Sequence, residues 1–127
     1  RIMKLDDKLI KDILIWCEEN LPNDQNSYLT DEIQIEKFTH SQISFHFYLL
    51  ISNGYIDAID ASCSRSPYSH IPNNLSLYGY ELLNLMRNKK TGENVKNFIH
   101  EIGLKTYPVI LNYLFTNWDL ISKILGK

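Results

Sequence analysis

The side chains in this sequence best able to hold a metal or attack a substrate are four histidines and two cysteines, and their spacing argues against both chemistries. His40, His46, His70 and His100 share no ligand spacing, and His100-Glu101 lacks the second histidine that a helical HExxH zinc site requires. Cys17 falls in an apolar helical pattern and Cys63 in a polar loop, without CxxC spacing, so both are expected as free thiols in a reducing cytosol. His46 lies inside a helical repeat and is expected to be a hydrogen-bonded, partly buried side chain rather than a base. The carboxylate pairs Asp6-Asp7 and Glu18-Glu19 are adjacent in sequence, and neighbours on a helix diverge instead of converging on a substrate. No GxSxG, phosphate-binding loop or dinucleotide fingerprint is present. The expectation is a protein without catalysis, with no catalytic or metal-ligating residue and no cofactor.

The elements that would position any binding residues follow from periodicity. Apolar Leu9, Ile10, Ile13, Leu14 and Cys17 recur at three- and four-residue steps, which predicts a first helix over residues 6–20, capped by an Asp and stopped by Leu21-Pro22. Ile33-Gln34-Ile35-Glu36 alternates apolar and polar and predicts a short strand. Residues 39–53 return to helical spacing through Ile43, Phe47, Leu50 and Ile51, and Asn53-Gly54 supplies a left-handed stop. A strand over residues 55–59, a polar loop over 62–74 and a return strand over 75–77 then outline a wing. Gly79 is expected to break that strand. Helices are predicted over residues 80–87, 93–102 and 107–125, the last with Pro108 in its first turn.

The runs Ile43-Ser44-Phe45-His46-Phe47-Tyr48-Leu49-Leu50, Asn53-Gly54-Tyr55-Ile56 and Leu75-Ser76-Leu77-Tyr78-Gly79-Tyr80-Glu81-Leu82-Leu83 carry a resemblance. They are similar to the uncharacterised bacterial and prophage family known as domain of unknown function 2513, whose members read approximately I-x-Y-H-L-x-L-L-x-x-A-G-L-I and then L-T-x-x-G-H-E-F-L. The resemblance extends to Ile33-Gln34-Ile35-Glu36 upstream and to Val95 through Leu114 downstream. It implies a winged-helix fold and supplies no catalytic residue. This chain departs from the pattern where members often carry Lys or Arg, at Tyr48, and where acidic residues open the helix, at His40, Ser41 and Gln42. The expected class is therefore mainly α with a small β-hairpin wing (α+β): a winged helix-turn-helix with a C-terminal helical extension. Residues 3–88 form the winged-helix core and 89–127 the extension packed on it, as a single structural domain.

In a DNA-binding winged helix, the helix before the wing enters the major groove with Arg, Lys, Asn or Gln reaching base edges. Residues 39–54 contain no Lys, Arg, Asp or Glu. With Ile43, Phe47 and Leu50 inward, the other side carries Ser41, Phe45, Tyr48, Leu49 and Ser52, which is aromatic rather than cationic. Either the C-terminal helices cover Phe45 and Leu49, or Phe45, Tyr48 and Leu49 form a protein-binding patch. For DNA there remain Gln42, the serines and the histidines of this helix as base readers and Arg65 near the wing tip, with scattered Lys37, Lys89 and Lys90. The binding residues expected for nucleic acid or a partner are thus Ser41, Gln42, Phe45, Tyr48, Leu49, Ser52 and Arg65.

At 127 residues and 44% hydrophobic content the chain can close one core without metals or disulfides. A formal charge of -2 gives no global attraction to phosphate, so nucleic-acid contact must come from a local patch. No apolar run is long enough to span a bilayer, and a cytoplasmic location is expected. The apolar residues between Tyr107 and Leu125 spread over more than half of the helical circle, so this helix needs a second cover. Either it runs through the middle of the fold, or it crosses its symmetry mate in a homodimer. Two functions fit: a phage or prophage regulator binding double-stranded DNA, and a winged-helix module binding a host or phage protein.

Overall fold

The computed structural model describes residues 4–22 and 27–116, and the architecture is mainly helical with one antiparallel hairpin. Helix α1 (Asp7–Asn20) is capped by Asp6, whose Oδ1 accepts the Leu9 N–H at 3.1 Å, and it buries Leu9, Ile10, Ile13, Leu14 and Cys17. These five side chains are fully enclosed because α1 lies at the centre, with the second helix, the third, the fourth and the hairpin packed around it. Burial pushes the Cys17 thiol up to about 12, which makes it an inert core residue.

The strand expected at Ile33-Gln34-Ile35-Glu36 is not there: the backbone between turns at 30–32 and 36–37 pairs with no strand. The alternation is real as burial, with Ile33 enclosed and Gln34 and Glu36 exposed, but one-sided burial does not require a ladder partner. Thr30 fastens the segment instead. Its N–H donates to the His70 carbonyl at 2.9 Å and its Oγ1 accepts the His70 N–H at 3.0 Å.

Helix α2 (His40–Ser52) begins in a capping box: Thr39 Oγ1 accepts the Gln42 N–H at 3.2 Å while Gln42 Oε1 accepts the Thr39 N–H at 2.9 Å. It ends at Asn53, and Gly54 takes the positive φ of +84° that the turn into the hairpin demands. Strand β1 (Ile56–Asp60) pairs with β2 (His70–Leu75), Ile56 opposite Leu75 and Asp60 opposite His70. The register shifts between Asp57, opposite Asn74, and Ala58, opposite Pro72, so Asn73 is the extra residue of a bulge beside a proline that cannot donate to a ladder. The return strand thus occupies residues 70–75, upstream of the expected 75–77, because its His-Ile-Pro-Asn-Asn sequence hides it among turn-forming residues.

Helix α3 (Leu77–Arg87) starts at Ser76, whose Oγ accepts the Gly79 N–H at 3.1 Å. Gly79 does not break a strand; it sits in the first turn of α3, where a Cβ would come within 2.2 Å of the Tyr55 carbonyl oxygen. Helix α4 (Lys89–Glu101) begins four residues earlier than periodicity indicates, since Asn88 ends α3 and also caps α4 by accepting the Lys90 N–H at 2.7 Å. Helix α5 (Tyr107–Thr116) packs against α4, burying Tyr107, Ile110 and Leu114 and leaving Val109 and Phe115 exposed. The rest of the terminal helix expected as far as Leu125 lies outside the described residues.

Candidate functional site

The outward side of α2 and the hairpin loop meet in one place. A tight turn brings the Cys63 and Ser66 backbones together, with N–H to O=C distances of 3.1 and 3.0 Å, and sets Arg65 at its exposed tip. The loop is further ordered where Ser62 N–H donates to Asp60 Oδ1 at 2.8 Å, and hydrogen bonds from Ser62 hold the Asp60 carboxyl below its usual range. Beyond the turn Tyr68 folds back onto α2. Its ring centroid lies 5.2 Å from Phe45, edge on, and 4.9 Å from Tyr48, while Tyr48 lies 6.2 Å from His70. Among the described residues, the rings that meet Phe45 and Tyr48 thus come from α2 itself and from the hairpin.

Next to this aromatic cluster is a cleft of about 380 Å³ between the start of α2 and the loop, lined by Asp31, His40, Ser41, Ser44 and residues 65–68. At its edge Ser44 Oγ donates to Asp31 Oδ1 at 2.5 Å. The first-turn N–H groups of α2 have no intrahelical acceptors, and the capping box satisfies the one on Gln42. The cleft lining supplies the Ser41 hydroxyl, the Arg65 guanidinium and an apolar wall of Pro67 and Tyr68, a combination suited to holding a polar chain against an aromatic surface. Among the described residues no histidine is hydrogen-bonded to Ser41 or Ser44, so neither serine has an aligned base.

Of the residues singled out from sequence, Ser41 and Arg65 line this cleft, and Phe45 and Tyr48 form the adjoining half-buried cluster. Gln42 is committed to the capping box. Leu49 is half-buried against the core, and Ser52 is exposed at the far end of α2, away from the cleft. Lys89 belongs to a different cleft, at the junction of α3 and α4. Sequence reasoning named His40 and Ser44 only among the helix's serines and histidines that could reach a base edge, and it missed Asp31 and above all Tyr68. The available signal was that Tyr68 is the one Phe, Tyr or Trp in the polar stretch 62–74, an expensive residue to place in a loop unless it packs on something.

His46, one turn from the cleft, is fully buried and has two backbone partners. Nδ1 lies 2.8 Å from the Gln42 carbonyl, and Nε2 accepts the Asp6 N–H at 3.0 Å. Both contacts are satisfied by the neutral ring with its proton on Nδ1, and burial lowers its pKa. Among the described residues no group of three or more His, Cys, Asp or Glu side chains could hold a metal ion, and no helix is long and apolar enough to cross a membrane.

The described residues form five helices, with α2, α3 and α4 packed around α1 and α5 on α4, and one hairpin folded over α2, a mainly helical α+β domain with a cleft between helix and hairpin. The family model described as "Hypothetical protein (DUF2513)" matches residues 4–105, and the chain belongs to that family. The match spans α1 through the connection to α5, so the helix, hairpin and cleft all lie within it. Comparison with curated proteins and with solved structures gives no match.

Proposed function

We propose that this protein is a non-catalytic interaction module of the winged-helix type, with α2 in the place of the recognition helix and the hairpin as its wing, and that it binds a segment of a partner protein in the α2–hairpin cleft. The observation that carries this reading is the packing of Tyr68 on Phe45 and Tyr48. A helix that enters a DNA groove needs its outward side free, whereas here the hairpin loop lies over the middle of that side and the open surface is an aromatic-walled cleft at the helix start. Tyr, Arg and a surrounding polar rim are the composition of a protein-binding hot spot. The test is selection of binding peptides from a random library, followed by titration against variants. Selected peptides are expected to lose at least about tenfold in affinity on Tyr68→Ala, since a hot-spot residue contributes about 2 kcal/mol or more, and to bind Ser52→Ala unchanged. Peptides indifferent to Tyr68→Ala, in a variant that retains its helical circular dichroism, would sink the proposal.

A second reading, a DNA-associated regulator, is favoured by one feature: Ser41 and Arg65 share the cleft onto which the first turn of α2 opens, and helix starts are good phosphate sites. Anisotropy on a random duplex at about 50 and then about 200 mM salt decides it, because phosphate contacts lose affinity steeply over that range. Salt-sensitive binding abolished by Arg65→Glu is the expected result for this reading, and no binding at low salt removes it.

A further inference from the structure

A second cleft, of about 350 Å³, lies between α1 and the α3–α4 corner, and its lining is cationic: Lys11 from α1, Arg87 from the end of α3, and Lys89 and Lys96 from α4, with Asp7 and Glu93 as the acidic members. Lys89, Gly92, Glu93 and Lys96 fall at i, i+3, i+4 and i+7, so they share one stripe of α4. Gly92, in the middle of that stripe, packs closely against the backbone at the end of α3. Its position is fixed, since a Cβ there would meet the Met86 carbonyl oxygen at 2.8 Å, and its own N–H donates to the Asn88 carbonyl at 2.7 Å. Thr91 Oγ1 donates to the Leu85 carbonyl at 2.7 Å, so the corner is tied on both sides and the cleft is preformed.

The charges in this cleft are only partly compensated. Arg87 is held by Glu18 in two hydrogen bonds of 2.7 and 3.1 Å, and Asp7 is turned to His100 at 2.8 Å. Lys11, Lys89 and Lys96 form no ion pair among the described residues, leaving Glu93 as the one carboxylate of the lining without one. The lining thus sets four cations, Lys11, Arg87, Lys89 and Lys96, against two carboxylates, Asp7 and Glu93, so a chain with a formal charge of -2 carries a local cationic excess with three ammonium groups here, beside the positive end of the α4 dipole. A single carboxylate neutralises one of three such groups, whereas closely spaced phosphates, each with several acceptor oxygens, can engage all three.

We propose that this cleft binds closely spaced phosphate groups, of a small polyphosphate or of a nucleic-acid backbone, independently of the α2–hairpin site. Two probes distinguish the sources: sodium pyrophosphate by calorimetry and a random 20-base-pair duplex by anisotropy, both at about 50 mM salt. Binding of either is expected in the wild type, weakened at least about tenfold in Lys89→Gln/Lys96→Gln and again by Lys11→Gln, and collapsing towards about 200 mM salt. Arg65→Glu, in the other cleft, is expected to leave it unchanged. Pyrophosphate binding alone assigns a small polyphosphate, and duplex binding alone assigns a nucleic-acid backbone. Absence of binding by both probes, or binding that survives the triple substitution in a protein with wild-type thermal unfolding, overturns the proposal. Loss on Arg65→Glu with no effect of the lysine variants would overturn it too and would place the anion in the α2–hairpin cleft.

Discussion

His46 joins two helices through their backbones: one ring nitrogen serves the Gln42 carbonyl inside α2, and the other accepts the Asp6 N–H at the cap of α1. Protonation would give Nε2 a hydrogen and turn that acceptor into a donor facing a donor, inside a site closed to water. Burial therefore depresses the folded-state pKa, although the Gln42 carbonyl and the nearby Asp6 charge pull the other way. With the folded pKa below the unfolded value of about 6.5, the unfolded chain binds more protons as pH falls through that value. The stability associated with a neutral His46 is fully present above about pH 6.5 and is lost as pH falls towards the folded pKa. Urea unfolding between pH 7.5 and pH 5 is expected to show falling stability in the wild type and a flatter profile in His46→Gln. An equal slope in both would mean that the ring accommodates its second proton. The sequence foretold a hydrogen-bonded histidine here because His46 falls inside a helical repeat. It did not identify the partners, since Asp6 is brought there by the packing of α1 on α2. Gln42 shows the opposite case: Thr39-His40-Ser41-Gln42 fits the capping-box pattern, and in the structure the Gln42 side chain closes that box by accepting the Thr39 N–H.

Gly79 sets the boundary between the hairpin and α3. A glycine after Leu75-Ser76-Leu77 reads as the end of a strand, but its function is to let the first turn of α3 lie against the start of the hairpin. The Ser76 N–H donates to the Tyr55 carbonyl at 3.0 Å, and the same oxygen leaves no room for a Cβ on residue 79. Gly79→Ala gains helix propensity in α3 but must displace backbone to fit, and overpacking of this kind outweighs the roughly 1 kcal/mol propensity gain. A net loss of about 2 kcal/mol or more is expected in denaturant unfolding, with helical circular dichroism retained in the folded baseline. A neutral or stabilising alanine would show that α3 can move away from Tyr55. The early start of α4 has a similar origin. Lys89-Lys90-Thr91-Gly92 reads as a linker, and the helix begins there because Asn88 and Thr91 satisfy backbone groups at the corner. The alternation at residues 33–36 misled in the other direction, because it reports which side faces the core and is silent about a hydrogen-bonding neighbour.

For the whole molecule, the central question is whether the C-terminal helices belong to the same cooperative unit as the helix–hairpin core. Val95, Phe98, Ile99, Leu104, Tyr107 and Ile110 share one buried cluster with Leu9, Ile13, Leu50, Tyr55 and Leu82, so removing α4 and α5 would strip one side of the α1–α3 packing. Tyr55 connects the two halves directly. Its ring is fully buried at the start of the hairpin, and its hydroxyl donates to the Lys105 carbonyl at 2.5 Å, in the connection between α4 and α5. Burial of that hydroxyl raises its pKa above the ordinary phenol value, so it remains protonated as a donor into alkaline solution. Tyr55→Phe keeps the ring and deletes the donor, leaving a carbonyl with one fewer partner and an expected cost of about 1–3 kcal/mol. If the chain folds as one unit, the whole unfolding curve shifts by that amount, with the helix signal and Trp16 fluorescence, read in a Trp118→Phe background, remaining coincident. A variant whose helix signal melts in two steps, with Trp16 following the second, would instead mark residues 89–116 as a separately stable layer. That outcome would divide the two clefts as well, because the phosphate cleft spans α1 and α4 and requires both halves in place, whereas the α2–hairpin cleft would persist after the C-terminal helices had melted.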